Sequence, residues 1–221
     1  MTDAQLAPNH YARAERSALA DLLLEVGPDH DTLCAGWVAR DLAAHLVVRE
    51  GRNLFASAGV VGGPFAGLTQ RKMDKAASRH SWPELVDRVR TGPPRGSMMR
   101  STKVDGLANT IEFFVHHEDV LRARPGAPRR PLDPAFAEDL WGRTPMVAKR
   151  LTKGSPVRVV AVHTDGRRIE FPPGDAPADR VVTLTGEPGE ILMWLYRRNG
   201  DVDVSGTAAD VAALKGHLEG R

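Results

Sequence analysis

The stretch NTIEFFVHHEDVLRAR, residues Asn109 to Arg124, decides how the chain is read. Ile111, Phe113, Phe114 and Val115 make its middle strongly apolar, and the spacing predicts a helix over Val104 to Arg122 with part of its surface buried. Glu112 and His116 are four residues apart. On a helix that is about 400° of rotation, so the two stack one turn apart on one face. On an exposed face such a pair is a weak contact of the helix surface. On a buried face both groups need a partner, and a divalent metal satisfies both. His117 points about 140° away from Glu112 and is a poorer ligand. Asp119 shares the face of His116, where it either orients the ring through its outer nitrogen, adds a fourth ligand, or is a surface charge. Glu118 points the wrong way to act as a base on metal-bound water, and there is no HExxH pattern.

Working upstream, RDLAAHLVVRE places His45 within a second apolar helical pattern, from about Val38 to Ala58, on one face with Leu42, Leu46 and Arg49. A lone histidine on such a face is commonly a core residue. Combined with Glu112 and His116 on a facing helix, it makes a third ligand projecting into one cavity. Three protein ligands with one position open is the layout of a catalytic zinc-type site, whereas structural sites are closed by four. Cys34, the single cysteine, precludes an intramolecular disulfide and reads either as a reactive thiol or as a buried structural residue. Trp37 and Asp41 are expected to set the start of the second helix. Arg40 and Arg49 face either a substrate anion or solvent.

The remaining elements follow from pattern and punctuation. A first helix is expected over Ala4 to Val26, closed by Gly27-Pro28, and Gly59 to Gly67 reads as a loop. Ser81-Trp82-Pro83-Glu84 is a capping box that opens a helix to about Arg90, and Pro134 to Leu151 is a further helix. The period then changes. Pro156 to His163, Arg168 to Phe171 and Arg180 to Thr185 read as strands, with Asp165-Gly166 as a hairpin turn. Gly186 to Arg198 is expected to be a helix, Val202 to Val204 a short strand and Ala208 to Leu218 a closing helix. Arg197 and Arg198 complement the negative pole of a helix end or bind a carboxylate. The expected layout is α+β, with a helical bundle over residues 1–153 and a small α+β domain over residues 154–221. Such a layout needs no partner to complete its core, which leaves a monomer or weak dimer as the expected state.

Composition excludes other classes. The 221 residues are 42% hydrophobic and 26% charged, with a formal net charge of +2 and no basic arm or aromatic-studded basic strand, so nucleic-acid binding is not expected. The N-terminal stretch lacks the apolar core of a signal peptide and no apolar run spans a bilayer, so a cytoplasmic protein away from membranes is expected.

Together, CAGWVARDLAAHL (Cys34 to Leu46) and EFFVHHEDVLRA (Glu112 to Ala123) resemble the paired motifs of the mycothiol-dependent maleylpyruvate isomerase-like proteins, part of the DinB/YfiT superfamily of metal-binding four-helix bundles, and among them an actinobacterial subgroup described as metal-binding. The resemblance implies a DinB-like bundle followed by a small sterol-carrier-like domain. It also implies a divalent metal, zinc above all, held by His45, Glu112 and His116 with water in the open position, and Asp119 behind His116. The implied activity is that of an isomerase or an S-transferase, in which the low-molecular-weight thiol mycothiol, activated as thiolate, attacks a small electrophile. The alternative is a metal-binding module without catalysis, acting as a thiol or metal sensor. The segment between the motifs is short and rich in Gly and Pro, and the isomerase's C-terminal arginine has no firm counterpart among Arg197 and Arg198.

Overall fold

The computed structural model describes residues 7–51, 66–124, 126–127, 129–171 and 176–220. These fall into two compact units, Met1–Arg130 and Pro131–Arg221. The first is helical and the second combines helices with a sheet, so the chain is α+β.

The first unit contains α1 (His10–Val26), α2 (Ala39–Arg49), α3 (Ala66–Arg79), α4 (Trp82–Thr91) and α5 (Thr102–Leu121). α1 packs along α5 and α4, and α2 packs along α3 and α4. Leu19 and Leu23 of α1, Leu42 and Leu46 of α2, Leu85 and Val89 of α4 and Phe113 of α5 close one core. The pairs on α1, α2 and α4 are each four residues apart, so each of these helices buries a stripe. At the start of α4, Glu84 Oε2 accepts the Ser81 N–H at 2.8 Å, the return bond of the expected capping box. The sequence reading missed α3, and its first two residues, Ala66 and Gly67, were assigned to a loop. Lysine, arginine and glutamine obscure its stripe, which among the described side chains comprises Met73, Ala76 and Ala77. The expected extension of α2 to Ala58 and the loop from Gly59 lie mostly outside the described residues.

The chain entering α1 crosses α5 at Gly106, where an added Cβ would sit 2.0 Å from the Pro8 carbonyl oxygen. Gly106→Ala is therefore expected to push these segments apart and cost about 1–3 kcal/mol. Gly142, in the helix that opens the second unit, has nothing within 4 Å of its added Cβ. Gly142→Ala should stabilise by about 0.5–1 kcal/mol through helix propensity alone. Chemical denaturation of the two variants checks the opposite signs.

The second unit opens with α6 (Pro134–Leu151), whose N-cap Asp133 accepts from the Ala135 and Phe136 N–H groups. The compact-unit boundary at 130/131 thus lies one helix before the sequence boundary at 153/154. Trp141 and Ala148 of α6 belong to the core of the second unit. After α6 come β1 (Arg158–His163), β2 (Arg168–Glu170), β3 (Val181–Gly186), α7 (Pro188–Leu195), β4 (Asp203–Ser205) and α8 (Ala208–Glu219). The strand order is β2-β1-β3-β4. β1 is antiparallel to β2 and parallel to β3, with Ala161 opposite Leu184, and β3 is antiparallel to β4. Val182 and Leu184 alternate with half-buried threonines and meet Ile191, Leu195, Leu214 and Leu218 of the two following helices. Among the described residues no helix is long and apolar enough to cross a membrane.

Candidate metal centre

His45 sits in the middle of α2 and Glu112 and His116 one turn apart on α5. Each is where its helix turns inward, and His45 and His116 are 2% and 9% exposed. His45 Nε2 lies 3.2 Å from Glu112 Oε1, and His116 Nε2 lies 3.4 Å from that same oxygen. The three donor atoms all lie within 4.8 Å of one another. Four ligands around a zinc-sized ion at about 2.0–2.1 Å are separated by about 3.3–3.4 Å, the edge of the tetrahedron. The two nitrogen–oxygen separations match that edge, so the donor set fits a divalent metal. His45 Nδ1, on the far side of its ring, is buried without a hydrogen-bond partner among the described residues. The Trp37 ring packs beside the His45 ring, centroids 5.2 Å apart.

Asp119 occupies the other side of His116. Its Oδ2 is 3.0 Å from His116 Nδ1, while Nε2 faces Glu112. Because the two ring nitrogens point apart, Asp119 stands behind the histidine and not beside Glu112. This is the arrangement by which a carboxylate accepts the Nδ1 proton and leaves the Nε2 lone pair for a ligand. Cys34 Sγ is 3.1 Å from that same Asp119 oxygen and 3.9 Å from His116 Nδ1. The loop before α2 places it there. Trp37 N–H donates to the Cys34 carbonyl at 2.9 Å, and Gly36 between them has φ +78°, a left-handed conformation that suits glycine. Asp41 Oδ2 accepts the Val38 N–H at 3.1 Å and closes the first turn of α2.

Arg49 proves to be part of the centre. It is one turn beyond His45 on α2, and its Nε is 3.1 Å from Glu112 Oε1. The sequence reading left it between a substrate anion and solvent. It is buried, and its guanidinium also donates to Asn109 Oδ1. The signal was its four-residue spacing from His45, the mirror of the spacing of Glu112 and His116. Arg40 instead donates to the Ala77 carbonyl at 2.9 Å.

These neighbours set the charges. Burial would raise the Glu112 carboxyl, but the Arg49 guanidinium and the His116 and His45 hydrogen bonds hold it well below the usual range. Burial pushes His45 down, against a smaller opposing pull from Glu112. Burial also opposes a charge on His116, yet hydrogen bonds to Asp119, Cys34 and Glu112 outweigh it and raise the ring well above its ordinary value. A divalent cation held at Nε2 would compete with the proton that this environment favours.

The neighbouring polar residues of α5 have other tasks. His117 Nδ1 contacts Glu15 Oε2 of α1 at 3.1 Å. Glu118, fully buried, accepts from Arg122 at 2.5 Å and Arg130 at 2.9 Å. Neither faces Glu112.

In the second unit, Arg197 and Arg198 border a groove of about 490 Å³ with Trp194 and Lys215. Arg197 is the one non-glycine residue with positive φ among those described, at 63°, and its guanidinium donates to the Glu219 carbonyl at the end of α8. Arg198 donates to the Tyr196 carbonyl at 2.6 Å. Glu138, His163 and Asp165 also bring three donor atoms within 4.8 Å, a grouping with no signal in the spacing of these residues. There the Arg167 guanidinium bridges both carboxylates.

No family model matches the sequence, and no curated protein matches it. Comparison of folds does find structural neighbours. A mycothiol-dependent maleylpyruvate isomerase superposes with a TM-score of 0.61 over 91% of this chain and 93% of its own, at 15% identity. The chain has the fold of that isomerase. A histidine-to-alanine mutant of a mycothiol-dependent maleylpyruvate isomerase superposes equally, with a TM-score of 0.60 over 91% and 93% of the two chains at 14% identity. The isomerase fold is thus kept at an identity where sequence comparison finds nothing, as expected when packing volume and patterning, not individual residues, specify a core.

Proposed function

We propose that the chain is a divalent-metal-dependent enzyme that brings a low-molecular-weight thiol of the mycothiol type to a small electrophile, as an S-transferase or a cis–trans isomerase. The observation that carries the reading is the convergence of His45 Nε2, Glu112 Oε1 and His116 Nε2 at the edge lengths of a metal tetrahedron. We assign these three residues as the ligands and zinc as the metal that suits two imidazoles and a carboxylate. The helical unit is read as a DinB-like four-helix bundle and the second as a sterol-carrier-like domain.

A bound divalent cation would lower the pKa of a thiol at the open position, so that the attacking thiolate is present at neutral pH. The chain's own residues do the rest. Asp119 accepts a hydrogen bond from His116 Nδ1–H and fixes the tautomer that presents the Nε2 lone pair. Arg49 neutralises part of the Glu112 charge and anchors its carboxylate. A sensor module without catalysis would suit a site closed by a fourth protein ligand. Asp119 lies on the far nitrogen of His116 and does not close it, which favours the enzyme.

The test is to incubate zinc-loaded protein with mycothiol and a panel of electrophiles, maleylpyruvate included. Metal-dependent thiol adduct formation or cis–trans conversion is expected, lost on chelation and restored by zinc. Zinc-loaded protein that turns over none of them would leave the non-catalytic module as the better reading.

A further inference from the structure

Away from the metal centre, the first unit holds a second concavity, of about 480 Å³, where α1, α4 and the start of α5 come together. Its wall carries Arg13, Arg16, Arg90 and Arg100 against a single carboxylate, Asp105. The four guanidinium groups differ in what already neutralises them. Arg16 is buried and committed to Glu50 and Asp105. Arg90 reaches Asp21 at 2.7 Å. Arg13 and Arg100 are exposed and make no ion pair among the described residues. Two of the four cations, Arg13 and Arg100, thus lack a counter-charge of their own, and an anion entering the cavity would supply it. The α1 N-cap Asn9 lines the same cavity, and Ser101, the N-cap of α5, follows Arg100 directly. The Asn9 side chain makes no capping bond and instead donates to Asp105, so the positive pole of α1 lies at the cavity wall.

We propose that this cavity binds a phosphorylated small molecule, its phosphate held between Arg13 and Arg100 and the rest of the ligand against Ser17 and Thr91. Guanidinium forks match the paired oxygens of a phosphate, and a dianion answers two unpaired cations as a monocarboxylate does not. A cavity this size holds more than the bare ion, so the ligand is a phosphomonoester with a small polar body. The cavity shares no lining residue with the ligand set His45, Glu112 and His116.

The test is calorimetric titration with inorganic phosphate and with glucose 6-phosphate at low ionic strength, on wild type, on Arg13→Gln/Arg100→Gln and on Arg79→Gln/Arg150→Gln. The last pair removes two exposed arginines elsewhere and matches the change in net charge. Saturable binding is expected, weakened at least about tenfold in Arg13→Gln/Arg100→Gln and unchanged in the control pair. Circular dichroism identical to wild type shows that the variant is folded. No saturable binding to wild type, or equal weakening in both pairs, overturns the proposal. Binding to phosphatidylserine vesicles without binding to either soluble phosphate overturns it as well, because the site would then be a membrane patch.

Discussion

His45→Ala and His116→Ala are each expected to empty the zinc site. Wild type should purify with, or be reconstituted to, about one zinc per chain, and each variant should hold little after dialysis. The physical ground is that the three donors come from two helices and share one point in space. Removing either imidazole leaves two ligands and a gap that only water can fill. Loss of a residue that merely supports a ligand costs about 10–100-fold in affinity, and loss of a ligand should exceed that. Asp119→Ala supplies the internal scale. It leaves all three donors in place but removes the acceptor on His116 Nδ1, so its zinc affinity should fall within the 10–100-fold band and lie between wild type and the ligand variants. Elemental analysis followed by chelator competition reads all of these values. Wild type that takes up no zinc on reconstitution, or a His45→Ala variant that binds it as tightly as wild type, would reduce these residues to polar contacts within a core.

The elements that could be read in the sequence are those whose signal is local. The capping box at Ser81 and the 134–151 helix behind Asp133 came through at the right residues, because caps and apolar periodicity act within a turn or two. The pairing of His45 with Glu112 and His116 could be expected because each lies on an inward stripe of its own helix, and two inward stripes in a helical unit share a core. What escaped was long-range. Arg49 is on the same stripe as His45, but whether its charge meets a partner or solvent depends on α5 lying opposite. Asn109 and Glu112 settle that, both about sixty positions away along the chain. Cys34 had no periodicity to place it, and its approach to Asp119 depends on a turn at Gly36. The helix at 66–79 escaped because its described buried side is marked by Met73 and two alanines among many polar residues. The assignment of α6 to the second unit was beyond local reading too, since Trp141 and Ala148 would suit either core equally well.

Arg16→Met is expected to produce the largest loss of stability among the polar substitutions in the first unit, about 3–5 kcal/mol, or roughly 10 °C in Tm. Arg16 is 5% exposed, and its guanidinium binds Glu50 and Asp105 while stacking 4.3 Å over the Phe113 ring. Removing it leaves two carboxylates buried near one another, with Asn109 donating to both and Asn9 to Asp105. Even with Arg16 present, burial raises Glu50 above the ordinary carboxyl range against the pull of the arginine. A carboxyl raised in the folded state gives stability below its unfolded pKa and loses it as pH rises through the folded value. Without Arg16 that value rises further, so the deficit relative to wild type should be small near about pH 4 and grow toward neutrality. A deficit independent of pH would mean that lost packing against Phe113, not unpaired charge, sets the cost. The double variant Arg16→Met/Glu50→Leu separates the two in another way. It removes the cation together with one of its two anions, while Asp105 keeps both asparagines. It should therefore recover part of the stability that Arg16→Met loses at neutral pH, as apolar replacement of buried ion pairs commonly does. This network reaches the metal centre through Asn109 and Arg49, so the same double variant should hold zinc less tightly if Arg49 depends on Glu50 to keep Asn109 in place. Unchanged zinc affinity would show that the position of Arg49 does not depend on Glu50.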